Sequence, residues 1–167
     1  MRDSMEKGFT LIELLMVVAI ITILAGGAIP NLLRARMSAQ ETGAIASCKT
    51  LAAAQTDYHT NTSPHTFALS LSFLGVGRSA GGVPYIDSVL ASGVKNGYTF
   101  ELVAGSELRI LTKQGGRVQA FQSWSATAFP VAYGSSGVRT FYIDESGVIR
   151  GQDYGGLPGR INLPVLN

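Results

Sequence analysis

Residues 8–30 read GFTLIELLMVVAIITILAGGAIP, and this stretch decides the fold. From Phe9 to Ile29 it carries a single charged side chain, that of Glu13. As an α-helix rising about 1.5 Å per residue it would span roughly 31 Å. A bilayer hydrocarbon core is about 30 Å thick, so the sequence predicts a helix that can cross a membrane. Lys7 lies directly before the run, which favours a cytoplasmic N-terminus.

Three interpretations compete for this segment. A secretory signal peptide has an apolar core of roughly 7–15 residues, so the longer run and its carboxylate speak against that interpretation. A plain membrane anchor explains the hydrophobicity but not Glu13, since an acid deep in a span costs about 2.5–3.5 kcal/mol on insertion scales. In the third interpretation the chain is cut after Gly8. The new amine of Phe9 can then pair with Glu13, either within one helix or between neighbouring subunits.

The order of these residues resembles the N-terminus of type IV pilins and pseudopilins. Gly8 and Phe9 are followed by Thr-Leu-Ile-Glu, an apolar run and a proline. In that family a prepilin peptidase cuts after the glycine and methylates the new N-terminal phenylalanine. The resemblance therefore implies cleavage between Gly8 and Phe9, and it makes Glu13 the assembly glutamate. Residues 1–8 become the leader, or MEKG if Met5 is the true start.

The resemblance also assigns roles along the helix. It closely covers about the first 30 residues, and the later stretch FYIDESGVIR matches more loosely. Packing of the helices in a filament would use a set of apolar side chains together with Phe9 and Glu13. The set is Leu14, Leu15, Val17, Val18 and Ile21. Gly26, Gly27 and Pro30 weaken a helix, so we expect a soft segment between Thr22 and Pro30.

After Pro30 the helical pattern resumes, and we expect one long helix from about Phe9 to about Tyr58. Its second half, residues 31–60, carries an apolar stripe. The stripe is Leu33, Met37, Ala44, Cys48, Leu51, Gln55 and Tyr58. Charged residues are placed on the solvent or filament-facing side. They are Arg34, Arg36, Glu41, Lys49 and Asp57. Asn61-Thr62-Ser63-Pro64 predicts the end of the helix.

Residues 61–167 predict a globular head. Residues 67–95 read as a linking region, with turns at Gly75, Gly77 and Gly81-Gly82 and a short helix near 86–91. Strands are expected in an antiparallel meander of four or five, packed on the helix. They lie at 98–103, 108–113, 123–129 and 138–143, followed by an Asp144–Gly147 turn before 148–150. The glycine- and proline-rich tail from Gly151 is expected to be loop. The fold class is therefore α+β, with a pilin-like architecture.

Composition leaves little material for catalysis. The chain has 167 residues, a net charge of +2, one cysteine and two histidines. A single cysteine excludes an intramolecular disulfide, so the closed C-terminal loop of many type IV pilins is not possible here. Asp144, Glu145 and Asp153 form a weak calcium candidate, although the first two suffice as turn residues. His59 and His65 read as surface histidines. We find no catalytic group, no cofactor and no basic stripe for nucleic acid.

These observations predict a structural subunit rather than an enzyme. The expected partners are further copies of the chain, the prepilin peptidase, and the pilus assembly platform with its ATPase motor. The expected location is the bacterial inner membrane before assembly and the cell surface afterwards. Two alternatives stay open. One is a pseudopilin that forms a short periplasmic filament for secretion, and the other is a membrane-anchored binding domain that never polymerises.

Overall fold

A computed structural model describes residues 8–76, 82–105, 107–111 and 117–166, with the backbone only at 107–111 and 117–119. The chain divides into two compact units, one ending at Arg36 and the other beginning at Met37. The elements in chain order are α1 (Leu11–Asn61), α2 (Leu71–Val76), α3 (Ser88–Ala91), β1 (Val94–Lys95), β2 (Tyr98–Ala104), β3 (Glu107–Leu111), β4 (Arg117–Phe121), β5 (Trp124–Pro130), β6 (Arg139–Asp144) and β7 (Arg150–Asp153). The predicted α+β class is confirmed.

α1 contains the apolar run and extends for 51 residues. It begins at Leu11, two residues after the expected start, and ends at Asn61, three residues after the expected end at about Tyr58 and at the first residue of the predicted Asn-Thr-Ser-Pro stop. Judged by length and composition, α1 is long and apolar enough to cross a membrane. Pro30 lies inside the helix without ending it.

In the second unit, α1 packs its stripe of small and apolar residues into the core. Ala44, Cys48, Leu51 and Gln55 are buried, as the spacing predicted. Burial raises the pKa of the Cys48 thiol to about 12, so the thiol stays protonated and inert. Gln55 links the helix to the following chain, because its amide group both accepts from Ala68 N–H at 2.8 Å and donates to Ala68 O at 3.1 Å.

The head is built around a five-stranded antiparallel sheet with the order β1-β2-β5-β6-β7. Alternation along the strands decides which side faces the helix, because successive side chains point to opposite faces. Tyr98 and Phe100 on β2 are buried, as are Trp124, Ala126 and Ala128 on β5. These side chains meet the buried stripe of α1 in one core. The strands predicted at 98–103, 123–129 and 138–143 are confirmed.

The predicted strand at 108–113 lies outside this sheet as far as residue 111, and residues 112 and 113 lie outside the described residues. It appears as β3, which pairs with β4 in a separate two-stranded ribbon. The β3–β4 ribbon continues the β2–β5 pair. At the junction of the two strand pairs, Gly105 N–H donates to Ser123 O at 2.8 Å. Sequence analysis missed β4. Its alternation is short and follows two glycines, so it becomes recognisable only through its pairing with β3.

The linking region and the tail hold further corrections. Gly75 lies inside the unpredicted helix α2 rather than in a turn, whereas the helix expected near 86–91 is confirmed as α3. Gly77 and Gly81 lie outside the described residues. The tail is not all loop, because Gly151 belongs to β7. A Cβ at Gly151 would lie 2.8 Å from the Phe141 ring, so the absence of a side chain lets β7 pair closely with β6.

The connection between β6 and β7 confirms the predicted turn. Gly147 N–H donates to Asp144 O at 2.9 Å. The Asp144 side chain accepts from Ser146 N–H at 3.0 Å and from the Ser146 hydroxyl. Gly147 has a φ of 71°, in the left-handed region that favours glycine. The carboxylate therefore stabilises its own turn.

Glu41 is a correction to the sequence interpretation, which placed it on the solvent side. Glu41 is only 9% exposed. Its carboxylate accepts from Val138 N–H at 3.0 Å and from Arg139 N–H at 3.2 Å. It also accepts from Arg139 Nε at 2.8 Å. The donors lie nearly a hundred residues away in sequence, so this clasp between α1 and the start of β6 left no local signal.

The Glu41 clasp predicts how head stability depends on pH. Burial acts to raise the pKa of Glu41, but the three hydrogen bonds and the Arg139 charge outweigh it and lower the pKa below its usual value of 4.5. A carboxylate whose pKa is lowered on folding stabilises the fold at pH values above its unfolded-state pKa. This contribution is lost as the pH falls through the folded-state pKa. Glu41→Gln should therefore cost about 1–3 kcal/mol of unfolding free energy at neutral pH.

Urea unfolding at pH 7 and at pH 3 measures this difference, with Glu101→Gln as the control at an exposed glutamate. The account predicts that the stability gap between Glu41→Gln and the native chain narrows toward pH 3. A gap of equal size at both pH values would contradict the assignment.

Candidate functional site

The first unit exposes almost every one of its described side chains. Among its described residues only Ala25 is half-buried. Phe9 is 87% exposed, and the five predicted packing residues are all exposed as well. They are Leu14, Leu15, Val17, Val18 and Ile21. Exposed apolar surface of this extent marks a site for a membrane or for other protein chains.

The first turn of α1 contains a polar arrangement that sequence analysis missed. Thr10 N–H donates to Glu13 Oε2 at 2.9 Å, and the Thr10 hydroxyl donates to the same oxygen at 2.8 Å. Glu13 N–H lies 3.3 Å from the Thr10 hydroxyl oxygen and donates to it. This reciprocal arrangement is a capping box, and its signal, Thr-x-x-Glu before an apolar run, is present in the sequence.

In a chain that still carries Gly8, the capping box gives Glu13 a structural role at the start of α1. The first N–H groups of a helix have no partner within it, and an unpaired polar group in hydrocarbon costs several kcal/mol. Thr10 and Glu13 act there as hydrogen-bond partners of each other. This pairing reduces the cost of the unpaired N–H groups and the cost of the carboxylate. The expected pairing of Glu13 with the Phe9 amine stays a prediction, because Phe9 is still bonded to Gly8 through its backbone nitrogen.

The predicted soft segment runs from Thr22 to Pro30 within α1. Pro30 has no N–H to give to the carbonyl four residues earlier, that of Gly26. A Cβ at Gly26 or Gly27 would meet no atom within 4 Å, so no tight packing within the chain demands glycine there. The helix is nevertheless continuous across the segment, and its softness stays a prediction.

The acidic residues considered for calcium do not come together. Asp144 is engaged in its own turn and faces Ser125 across the sheet. Asp153 lies opposite Arg139, at the other end of β6. Its carboxylate accepts from the Tyr133 hydroxyl at 3.0 Å. Glu145 lies within the turn and is exposed. In the part of the chain that the structure describes, no three acidic, histidine or cysteine side chains form a metal-binding group.

The two histidines lie at the end of α1, where they stack rather than form a ligand set. The rings of His59 and His65 are 5.4 Å apart, and His59 also stacks on Phe67 at 4.5 Å. A ring nitrogen of His65 lies 2.9 Å from His59 O. Through these contacts the two histidine rings pack at the C-terminal end of α1.

One comparison with known proteins falls on the same N-terminal segment. Residues 3–29 match the family model of the prokaryotic N-terminal methylation motif. The chain is also 69% identical over 36 residues to the type IV wide pilus major component PilA4 of Thermus thermophilus. That alignment covers 22% of this chain and 28% of the relative, so the likeness spans little more than a quarter of that protein. No solved structure matches the chain significantly.

These findings show that the chain carries the N-terminal methylation motif and a stretch similar to a type IV pilus component. The motif and the apolar helix fit a membrane-anchored precursor.

The capping box predicts a specific effect of removing the Thr10 hydroxyl. Thr10→Val should fray the first turn of α1, since loss of an N-cap hydroxyl costs about 1 kcal/mol. Amide hydrogen exchange in detergent micelles should accelerate roughly fivefold at residues 11–14. Thr22→Val is the matched control, because Thr22 donates only to Val18 O, at 2.8 Å, within the same helix. Equal exchange in both variants would rule out the cap.

Proposed function

We propose that the chain is the precursor of a type IV pilus-like filament subunit, cleaved after Gly8 and polymerised through residues 9–58. The observation that carries the proposal is the combination in one helix of an apolar surface without cover and a carboxylate in its first turn. An anchor needs the apolar surface alone. A subunit that must dock on further copies also needs an element that fixes its position along the neighbouring helix.

Cleavage would turn the capping box into a charged site. Removal of residues 1–8 converts the nitrogen of Phe9 from an amide into an amine, which is positively charged when protonated. The amine and Glu13 are about one helical turn apart, so the carboxylate gains a charged partner beside the two Thr10 donors. In a dry bundle such a pair is screened far less than on a surface. Docking therefore favours a cleaved chain over an uncleaved one.

Assembly would exchange lipid for protein around the helix. Leu14, Val17, Val18 and Ile21 occupy neighbouring positions on the helix, and Leu15 widens the apolar band. Each copy would use its band against other copies, while the heads form the outer shell. Contacts of this head-to-tail kind need not close, so the polymer extends. The soft segment at Gly26, Gly27 and Pro30 would let the filament lengthen under load.

Processing and transport follow from the same segment. A prepilin peptidase would cut between Gly8 and Phe9 and methylate Phe9, and an assembly platform driven by an ATPase motor would extract the subunit. Before assembly the subunit would lie in the bacterial inner membrane, and afterwards in a filament at the cell surface. The domain boundaries 1–8, 9–30, 31–60 and 61–167 divide the chain into leader, spanning helix, packing helix and head.

A major pseudopilin is the second candidate. Glu13 and the methylation motif fit it equally well, and only filament length and destination separate the two. A membrane-anchored domain that never polymerises is disfavoured, because it uses Glu13 only in the capping box, where an uncharged glutamine would serve as well. Pilus retraction genes beside this gene would favour the pilus, and secretion genes the pseudopilus.

Replacing the assembly glutamate tests the proposal. Glu13→Ala should leave cleavage after Gly8 intact, because the carboxylate lies beyond the scissile bond, while surface filaments fall at least tenfold. Filaments sheared from cells and the total processed subunit are both quantified. Glu101→Ala, which removes an exposed carboxylate from the head, should assemble normally. Normal filaments from Glu13→Ala would overturn the docking role.

A further inference from the structure

The exposed apolar surface of α1 is longer than a bilayer core is thick. It runs from Leu11 to Leu33, and Leu32 and Leu33 beyond the proline are 69% and 55% exposed. At about 1.5 Å per residue this surface extends about 34 Å, whereas the hydrocarbon core measures about 30 Å. The helix is continuous across Pro30. A membrane can therefore cover only part of the surface, and the flanking charged residues decide which part.

Two charged positions lie at the ends of an uncharged segment of α1. Glu13 lies near the start of the apolar surface, Arg34 directly follows its end, and Arg36 is two residues further on. No charged residue lies between Glu13 and Arg34. Along the helix axis the Cα atoms of these two residues are about 32 Å apart. This separation matches the bilayer core, so residues 14–33 can span it with a charged position at each surface.

The alternative span, residues 9–29, fits the bilayer less well. It buries the Glu13 carboxylate in hydrocarbon and leaves Leu32-Leu33 in water. Shifting the span to residues further along α1 exchanges apolar side chains evenly, since Leu11-Ile12 leave the core as Leu32-Leu33 enter it. The uncharged Asn31 also enters, near the edge, whereas the carboxylate leaves. In hydrocarbon an acid costs several times what a leucine gains, so the carboxylate decides the register.

The two arginines have no acidic partner along the helix. None of the residues three or four positions from Arg34 or Arg36 is acidic. Both side chains are exposed, and no ion pair joins either of them to another residue that the structure describes. Two positions correspond to about 200° around an α-helix. The two guanidinium groups therefore lie on opposite sides of α1, where each can meet a different lipid molecule.

We propose that Arg34 and Arg36 bind lipid phosphates at the membrane surface on the C-terminal side of a span formed by residues 14–33. A guanidinium presents paired N–H donors that match the oxygens of a phosphate. The apolar stem of each arginine lies along the edge of the hydrocarbon while the charged end reaches the phosphates. At the opposite surface the Thr10–Glu13 capping box lies among the headgroups, where water solvates the carboxylate.

This register moves the spanning segment of the proposed precursor from residues 9–30 to residues 14–33. It rests on the membrane anchoring in the proposed function and not on cleavage or polymerisation. For a chain that is cleaved, it places the Gly8-Phe9 bond outside the hydrocarbon, where the water needed for hydrolysis is available. Extraction of the subunit into a filament would break both phosphate contacts.

Solid-state NMR tests the phosphate contacts directly. The full chain, labelled with 13C at the guanidinium carbons, is reconstituted in vesicles of phosphatidylcholine and phosphatidylglycerol. Lipid 31P should dephase part of the 13C signal, and Arg34→Gln combined with Arg36→Gln should lower this dephasing at least twofold. Arg160→Gln, at an exposed arginine of the head, is the control and should leave it unchanged. Equal dephasing in the native chain and in the double variant would overturn the phosphate contacts.

Spin labels at the two ends of the apolar surface test the register. Leu11→Cys and Leu33→Cys are labelled separately in the full chain in the same vesicles, while Cys48 is buried and common to both. The label at Leu33→Cys should be several-fold more accessible to oxygen than to a water-soluble nickel chelate, and the label at Leu11→Cys should show the opposite preference. The reverse pattern would indicate a span of residues 9–29 and refute the register.

The same labels separate failure of this inference from failure of the proposed function. Access of the nickel chelate to both labels would show a chain that does not enter the bilayer, which overturns the register together with the membrane anchoring on which it rests. Loss of filaments in Glu13→Ala, or their persistence, leaves the register untouched, because the labels are read in vesicles without assembly.

Discussion

An apolar helix that its own chain does not cover is the constraint on which the rest of the molecule depends. From Phe9 to Ile29 the side chains are exposed, with Ala25 as the half-buried exception. Water is an unfavourable environment for this surface, at about 25 cal/mol per Å² of apolar area. The segment therefore requires a lipid bilayer or other copies of itself. A chain that moves between these two environments can anchor first and polymerise later.

Two glutamates illustrate how the chain places charge in apolar surroundings. Glu13 lies in the apolar helix and accepts from the amide and hydroxyl of Thr10. Glu41 lies at the edge of the head core and accepts from two amides and from Arg139. In both cases N–H donors replace water around the carboxylate. The first arrangement is local, within one helical turn, whereas the second is long-range and joins α1 to the start of β6.

Local sequence patterns were enough to predict most of the fold. The unbroken apolar run, the helical spacing of Ala44, Cys48 and Leu51, and the alternation around Phe100 each determine an element without help from distant residues. Non-local features were missed or misplaced. Glu41 looked like a solvent residue because its donors arrive from the start of β6, and β4 is recognisable only when it is paired. The capping box was a local signal that went unread.

The candidate functional site shows the same contrast between local features, which the sequence reveals, and non-local features, which it does not. Its proposed docking residues could be named from the sequence because they lie on one continuous helix, whereas the calcium group required distant strands to meet. Asp144 and Asp153 are nine positions apart in sequence, yet antiparallel pairing of β6 with β7 places them at opposite ends of β6.

The most direct test of the central claim is mass spectrometry of the N-terminal peptide in the surface fraction sheared from native cells. The account predicts a peptide that begins at Phe9 and carries one added methyl group, in protein recovered outside the cell. A chain that still carries residues 1–8 and stays in the membrane would contradict it. The apolar helix would then be an anchor, and the head a binding domain that never joins a filament.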